Sequence, residues 1–198
     1  MLDHKKAIKH LSKDPVIKKL IKTHGELKFD GEVNLLSDII ESIVNQQLSE
    51  KAGATIWGRF KALFNSKTFP DPNEVLKTSD EKIRKCGLSY SKIKYIKGVC
   101  EALVKNEISL EKLGEQTDEE VINELVRLKG VGKWTAEMIL MFSLKRPDVF
   151  SLGDLGLRTA VSKLYKVDRN NIKKIEKISL NWSPYRTIAA RYLWKSLG

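Results

Sequence analysis

Two predicted helices meet at residues Leu128–Ala136, which have the sequence LKGVGKWTA. A hydrophobic residue followed by Gly-x-Gly and a basic residue is typical of a helix-hairpin-helix. Gly130 and Gly132 are expected to let a tight turn reach positive φ and to let a phosphate approach bare backbone. The N–H groups at the start of the next helix would then face that anion, in the way that a hairpin holds a DNA backbone without reading its sequence. Asp154 follows Gly132 by 22 residues and is a candidate for chemistry on the held strand.

The overall charge of the chain favours a polyanionic partner. Its 198 residues carry a formal net charge of +11, from 36 basic and 25 acidic side chains. Because 41% of the residues are hydrophobic, the chain is expected to be globular rather than disordered. Nucleic acid fits better than a membrane, since no basic amphipathic anchor helix stands out. The alternative interpretation is a solvated, lysine-rich surface.

The cysteines and the lengths of the apolar runs indicate the cellular compartment of the protein. Cys86 and Cys100 are too few for a disulfide framework or a metal quartet and are expected to be reduced, buried thiols. The longest uncharged runs, such as Met138–Leu144, are too short to cross a bilayer, and the N-terminus lacks an apolar signal core. A soluble protein of the cytoplasm or nucleoid, or of the nucleus in a eukaryote, is therefore expected.

The apolar spacing is helical throughout, without period-two alternation, and predicts an all-α fold. Helices are predicted in seven places: a stripe ending at His24-Gly25, Ser37 to Leu48, Glu50 to Phe64, after Ser79, after Ser91, after the Thr117–Glu120 capping box, and after Pro184. A further helix follows the hairpin and stops at Pro147. Its spacing places Trp134, Met138 and Met141 on one face, and Thr135, Ile139 and Phe142 on the adjacent face. Trp57 and Trp182 are expected to be core or interface residues.

Five blocks of the sequence resemble one known family. They are Ile43–Ser49, the region around Cys86-Gly87-Leu88, Leu128–Met138, Val149–Arg158 and Pro184–Trp194. In these blocks the chain is similar to the helix-hairpin-helix DNA glycosylases, and within them to the 3-methyladenine DNA glycosylase II branch. The resemblance implies a single catalytic unit over residues 1–198, made of two helical lobes with the hairpin and an active-site cleft between them. Residues 36–145 would form the central lobe, and residues 1–35 with 146–198 the second.

The resemblance implies that Asp154 is the essential aspartate, and the chemistry agrees. Cleavage of an N-glycosidic bond builds oxocarbenium character at the sugar. A carboxylate beneath C1′ stabilises that charge and can orient or deprotonate the attacking water. The alternative is an aspartate that only caps the helix Leu155–Leu164. Family members often have a proline in the loop before this aspartate, where this chain has Ser151-Leu152-Gly153.

Trp134 bears on the type of reaction. In relatives that nick the strand, a lysine at this position forms a Schiff base with C1′. An indole cannot do this, and the neighbouring Lys133 is turned away by about 100° along a helix. A monofunctional glycosylase that uses water is therefore predicted, although Trp134 as a core aromatic is the alternative.

The resemblance also implies a pocket for the damaged base. The predicted lining is Trp134, Met138, Trp194 and Leu155, with Met138 and Leu155 standing where relatives have aromatic residues. An indole face attracts a cationic alkylated purine through cation–π contacts of about 0.5–2 kcal/mol each.

Extrusion of a base from a duplex requires a side chain to fill the gap. By resemblance Gln47 is that wedge, with Leu48 beside it. Gln46 is expected to help position the loop. The helical phase of Leu48 favours a position in the core instead.

The hairpin residues Gly130, Gly132, Lys133 and Thr135 are expected to hold the phosphate beyond the lesion. By resemblance, the main-chain carbonyls of Val126, Leu128 and Val131 would bind a monovalent cation, Na⁺ or K⁺. No cofactor is expected to be required, and no iron–sulfur cluster, because the four-cysteine loop of some relatives is absent.

The function implied is a DNA-3-methyladenine glycosylase II type hydrolase without lyase activity, acting in base excision repair. Its partner would be double-stranded DNA with a flipped damaged base, and the protein is expected to be monomeric. Two alternatives stay open. One is a non-catalytic helix-hairpin-helix DNA-binding module, against which Asp154 and Trp134 argue. The other is a glycosylase for deaminated or oxidised bases, against which the missing lysine and cluster cysteines argue.

Overall fold

The computed structural model describes residues 4–27, 34–64 and 69–198. In these ranges the secondary-structure elements are all helices, joined by turns and loops. The all-α prediction is therefore confirmed. A 3₁₀ turn spans Glu111–Gly114 and a π-helical segment spans Ile139–Ser143. In chain order the α-helices are α1 (His4–Leu11), α2 (Pro15–His24), α3 (Leu35–Asn45), α4 (Glu50–Lys61), α5 (Pro72–Lys77), α6 (Asp80–Arg84), α7 (Tyr90–Val104), α8 (Asp118–Leu125), α9 (Lys133–Met138), α10 (Leu155–Tyr165), α11 (Ile172–Leu180) and α12 (Arg186–Lys195). Within these ranges, no helix has the length and apolar character needed to cross a membrane.

The chain divides into two compact units. Unit 1 combines Met1–Gly31 with Leu140–Gly198, and unit 2 is Glu32–Ile139. In unit 2, α7 packs against α3, α5 and α6, while α3 also packs against α4, and α8 against α9. The core of unit 2 is apolar and includes Ile39, Ile40, Ile43, Trp57, Phe60, Ile83, Ile93 and Ile96.

Side chains cap many of the helices of unit 2, as the sequence leads one to expect. Ser49, Ser79 and Ser89 each accept an amide N–H at the start of α4, α6 and α7. Thr117 and Glu120 form the predicted reciprocal capping box at α8. Cys86 and Cys100 lie buried as free thiols.

The Asp14 carboxylate connects distant segments of unit 1 by hydrogen bonds. One oxygen accepts the amide N–H groups of Val16 and Ile17 and caps α2. The other accepts the Tyr165 hydroxyl at 2.8 Å and the indole N–H of Trp182 at 3.0 Å. Burial raises the pKa of Tyr165, and the hydrogen bond to Asp14 adds to this effect. Around this network α12 packs against α2 and α10, and α11 packs against α10.

Two predicted helices end earlier than expected. The helix predicted to run from Ser37 to Leu48 ends at Asn45, and the one predicted to reach Phe64 ends at Lys61. Apolar residues continue past both ends, so periodicity alone does not mark the boundary. Leu48 consequently leaves the helical phase that favoured a core position.

The helix after the hairpin changes from α-helical to π-helical at Ile139. Residues on a common face should have similar exposure. On the first predicted face Trp134 is 46% exposed and Met141 is buried, and on the second Thr135 is buried and Phe142 is 46% exposed. Both predicted common faces are therefore wrong. A π-helical turn bonds residue i to i+5, so the 3.6-residue spacing does not carry through it.

Candidate active site and nucleic-acid interface

The predicted hairpin is present in unit 2 as α8, a tight turn and α9. The Val131 amide donates to the carbonyl of Leu128 at 3.0 Å and closes the turn. The first intrahelical bond of α9 runs from the Ala136 amide to the carbonyl of Gly132. The amides of residues 133–135 therefore precede that bond and form the open end of the helix.

The two glycines of the hairpin differ in conformation. Gly130 has φ +90°, and a Cβ there would lie 2.6 Å from the ring of Tyr95 on α7. Gly132 has φ −95° and ψ 173°, and a Cβ there would meet nothing within 4 Å. The prediction that both glycines need positive φ is thus wrong for Gly132, which has an extended conformation open to every residue. Gly132 is exposed, and because it has no side chain its backbone is directly accessible.

The other predicted phosphate contacts lie at the start of α9. Lys133 is exposed, whereas the side chain of Thr135 is buried. A contact from Thr135 to an anion would therefore use its main-chain amide. Its side chain is buried within unit 2.

The three carbonyls predicted to bind a cation lie between α8 and α9. Leu128 and Val131 are buried and Val126 is exposed. The Leu128 carbonyl already accepts the Val131 amide, and a carbonyl oxygen has a second lone pair. In the described ranges no group of three or more His, Cys, Asp or Glu side chains is arranged to hold a metal ion.

The predicted wedge residues lie in a short loop, residues 46–49, between α3 and α4, which we call the wedge loop. Gln47 is exposed and has φ +56°, in the left-handed region. Leu48 is 38% exposed, so the alternative that places it in the core is wrong. Both side chains are accessible because α3 ends at Asn45 and the chain turns outward before Ser49 caps α4.

Asp154 lies in unit 1 as the N-cap of α10. Its Oδ1 accepts the Leu157 amide at 2.7 Å and the indole N–H of Trp194 at 3.0 Å. The cap that sequence reasoning offered as an alternative is therefore present. It is compatible with a role in chemistry, because the two donors fix the orientation of a half-buried carboxylate.

Apolar side chains lie near this carboxylate in unit 1. Leu155, the first residue of α10, is 56% exposed. The Trp194 ring lies 5.8 Å from the ring of Phe142. A Cβ on Gly156 would lie 3.1 Å from Asp154 Oδ1 and 3.3 Å from the Trp194 ring. Sequence reasoning missed both Phe142 and Gly156: the π-helical segment hides the first, and only the packing of the side chains identifies the second.

A salt bridge anchors the segment that leads to Asp154. The Arg186 guanidinium, on α12, donates to both carboxylate oxygens of Asp148, at 2.8 and 3.0 Å, and Ser183 donates a further hydrogen bond. Burial alone would raise the pKa of Asp148, but the hydrogen bonds from Arg186 and Ser183 outweigh it and hold the pKa below its usual value. The charged form of Asp148 is therefore the one that fits the fold.

The predicted base-contacting residues divide between the two units. Trp134, in the first turn of α9, is exposed, and Met138 at the end of that helix is half-buried. The exposure of Trp134 argues against a core aromatic. Leu155 and Trp194 lie in unit 1, where Trp194 contacts Asp154 directly.

Comparison with known proteins assigns the chain to a family. Residues 40–184 match the model of the HhH-GPD superfamily base excision DNA repair proteins. The chain belongs to this superfamily. The predicted relationship to the helix-hairpin-helix DNA glycosylases is confirmed, together with the fold class.

Relatives extend over nearly the whole chain. DNA-3-methyladenine glycosylase 1 of Schizosaccharomyces pombe is 36% identical over 197 residues, 96% of this chain and 86% of the relative. The structure of S. pombe 3-methyladenine DNA glycosylase Mag1 in complex with abasic DNA matches with a TM-score of 0.87 and 36% identity, over 96% of each chain. A DNA-3-methyladenine glycosidase from Bacillus halodurans matches with a TM-score of 0.85 and 36% identity, over 97% of this chain and 89% of that one.

Proposed function

We propose that this protein is a monofunctional DNA glycosylase that hydrolyses the N-glycosidic bond of alkylated purines, of the 3-methyladenine type, in base excision repair. The observation that carries the proposal is the Asp154 carboxylate, half-buried and oriented by the Leu157 amide and the Trp194 indole N–H. The relatives named as 3-methyladenine glycosylases support the substrate class.

In this mechanism Asp154 acts on the sugar. As the bond from C1′ to the base breaks, positive charge develops on the sugar, and a carboxylate at fixed orientation stabilises it. The same carboxylate orients a water and accepts its proton as the water adds to C1′. The products are the free base and an abasic sugar in an unbroken strand. An alkylated purine is cationic and leaves readily, so little acid catalysis is needed.

The proposal that water is the nucleophile rests on Trp134. A lyase needs an amine that attacks C1′ and forms a Schiff base, and the indole at this position has no such group. The exposed ring of Trp134 is instead available for stacking. The side chains proposed to contact the base are Trp134, Met138, Leu155 and Trp194.

The hairpin and the wedge loop would hold the duplex. Gly130, Gly132, Lys133 and Thr135 are proposed to contact a phosphate, chiefly through main-chain amides. Gln47, with Leu48 beside it, is proposed to fill the space left by the flipped base. The net charge of +11 supports a DNA partner.

A monovalent cation is also proposed at the carbonyls of Val126, Leu128 and Val131. It would add positive charge next to the phosphate, whereas no cofactor is proposed for the chemistry.

The test is base release from duplexes that carry different lesions. DNA methylated at purine N3 and N7, and duplexes with hypoxanthine, ethenoadenine or 8-oxoguanine, are incubated with excess protein, and released bases are separated by chromatography. We expect release of methylated purines and an unbroken strand that contains an abasic site. Binding without release from every substrate would favour the non-catalytic module. Release of hypoxanthine or 8-oxoguanine alone would favour the deaminated or oxidised class.

A further inference from the structure

The wedge loop contains one residue in an unfavourable backbone conformation. Gln47 has φ +56°, in the left-handed region, which is unfavourable for a residue with a Cβ. Its side chain is exposed, so no burial of Gln47 offsets this cost. The conformation must therefore be maintained by contacts of the neighbouring residues.

One such contact comes from Lys92 in the first turn of α7. Its ammonium group donates to the carbonyl of Val44 at 2.8 Å and to the carbonyl of Gln46 at 2.7 Å. Carbonyls at the C-terminal end of a helix lack intrahelical partners, and a cation there is favoured by the helix dipole. Partial burial lowers the pKa of Lys92, as expected for an amine held against the protein rather than in water. Lys92 thus fixes the point at which α3 ends and the wedge loop begins.

A second contact joins the wedge loop to the hairpin. The side-chain amide of Gln46 donates to the carbonyl of Gly130 at 2.7 Å, across 84 residues of sequence. Gly130 is the hairpin residue with positive φ, and it packs directly on the ring of Tyr95. Lys92 and Tyr95 are three residues apart on α7, so one face of that helix supports both the wedge loop and the hairpin.

We propose that Gln46, Lys92 and Tyr95 form a brace that makes the wedge loop and the hairpin turn one rigid body. When the hairpin binds a phosphate, the brace holds Gln47 in the position from which it can insert between the bases. This inference rests on the proposed function. It assigns to Gln46 and Lys92 a positioning role in base flipping, distinct from the chemistry at Asp154. The physical basis is preorganisation: a wedge whose position is fixed in advance loses little entropy when it inserts.

The test compares lesions that differ only in the cost of flipping. Lys92→Met keeps an unbranched side chain that is one atom shorter and removes both hydrogen bonds, and Gln46→Met removes the bond to Gly130. Single-turnover base release is measured on a lesion paired within a duplex and on the same lesion in an unpaired bulge, which flips at lower cost. Lys105→Met, an exposed lysine near the other end of α7, is the matched control for loss of charge.

We expect each brace variant to release the paired lesion roughly 10- to 100-fold more slowly, which corresponds to about 1.4–2.7 kcal/mol, and the bulged lesion within about threefold of wild type. Lys92→Arg can still donate to both carbonyls and should restore most of the rate. Equal losses on both substrates, or no loss on either, would overturn the proposal. If Lys92→Met fails to fold, Gln46→Met carries the comparison alone.

A readout independent of catalysis separates this inference from the proposed function. A 2-aminopurine next to the lesion becomes fluorescent when its stacking is disrupted. We expect the 2-aminopurine fluorescence to rise when wild type binds and to rise less when a brace variant binds. This result supports the brace even if no base is released. Binding of wild type without such a rise would contradict the brace, whereas the proposed function is tested by base release itself.

Discussion

The hairpin with its wedge loop and the surroundings of Asp154 are built on different principles. In the first region the groups proposed to contact DNA are mainly main-chain amides, and Gly130 packs against the ring of Tyr95. In the second a single carboxylate is oriented by one amide and one indole. A backbone surface of this kind can hold any phosphate, whereas a single carboxylate can act only on a sugar placed beside it. Substitutions in the two regions should therefore separate DNA binding from chemistry.

The largest expected effect is on the chemical step alone. Asp154→Asn should lower single-turnover base release by about 10³-fold, because the amide keeps an oxygen for the Leu157 and Trp194 donors but carries no charge. Duplex affinity, measured by fluorescence anisotropy, should stay within about twofold. Release within tenfold of wild type would remove Asp154 from the catalytic role and leave it as a helix cap.

Next comes a pair of glycine substitutions in the hairpin. Gly130→Ala should lower the free energy of unfolding by about 3 kcal/mol, because its φ is positive and its Cβ would collide with Tyr95. Gly132→Ala should change stability by less than about 0.5 kcal/mol, since its φ is negative and the space is open. Urea unfolding measures both.

The same pair also tests the contact with phosphate. Gly132→Ala should weaken binding to lesion and plain duplex alike, by roughly tenfold, because a Cβ blocks the approach of a phosphate to the backbone. A Gly132→Ala protein that binds normally would show that the hairpin backbone is not the DNA anchor.

A smaller effect concerns the stability of the segment before Asp154, and it depends on pH. Asp148→Asn should lower the free energy of unfolding by about 2 kcal/mol at pH 7, because the Arg186 guanidinium loses its charged partner. The pKa of Asp148 is depressed below its usual 3.8 in the folded state, so this stabilisation is present above that value and is lost as the pH falls through the folded pKa. Urea unfolding at pH 7 and pH 3 should show the difference between wild type and variant shrinking. If the free energies of unfolding of wild type and variant differed equally at both pH values, the result would contradict a charged Asp148 in the folded state.

The smallest expected effect is electrostatic. With roughly four to six phosphates neutralised, the log–log salt slope of duplex binding should be about −4 to −5, and Lys133→Ala should reduce its magnitude by about one unit without changing lesion preference. Lys112→Ala, an exposed lysine in the 3₁₀ turn, is the control and should leave the slope unchanged. An equal change in both variants would mean that Lys133 acts through general charge rather than at a phosphate.

Local patterns in the sequence predict much of this structure. The all-α fold, the capping box at Thr117, the hairpin and the cap at Asp154 all depend on residues within a few positions of one another. Periodicity fails where the helix type changes, so the faces predicted for Trp134 and Phe142 are wrong. It also fails at the end of α3, where the exposed Leu48 follows an apolar helix.

Contacts between distant parts of the chain could not be predicted. The bond from Gln46 to Gly130 and the bond from Trp194 to Asp154 join residues 84 and 40 positions apart. Neither has a local signature, because each depends on how whole helices pack. The conformation of Gly132 was missed for a similar reason: Gly-x-Gly gives two candidates for positive φ, and only the packing of Gly130 on Tyr95 distinguishes them.

The central claim is hydrolytic base release without an amine nucleophile, and one reaction tests it most directly. Methylated duplex with one end-labelled strand is incubated with excess protein in two parallel portions, one without borohydride for analysis of free base and strand, and one with borohydride for detection of protein attached to DNA. We expect free methylated purine, a full-length strand that breaks only after hot alkali, and no protein attached to DNA. A covalent protein–DNA adduct trapped by borohydride would contradict the claim, because it requires the Schiff base that Trp134 cannot form.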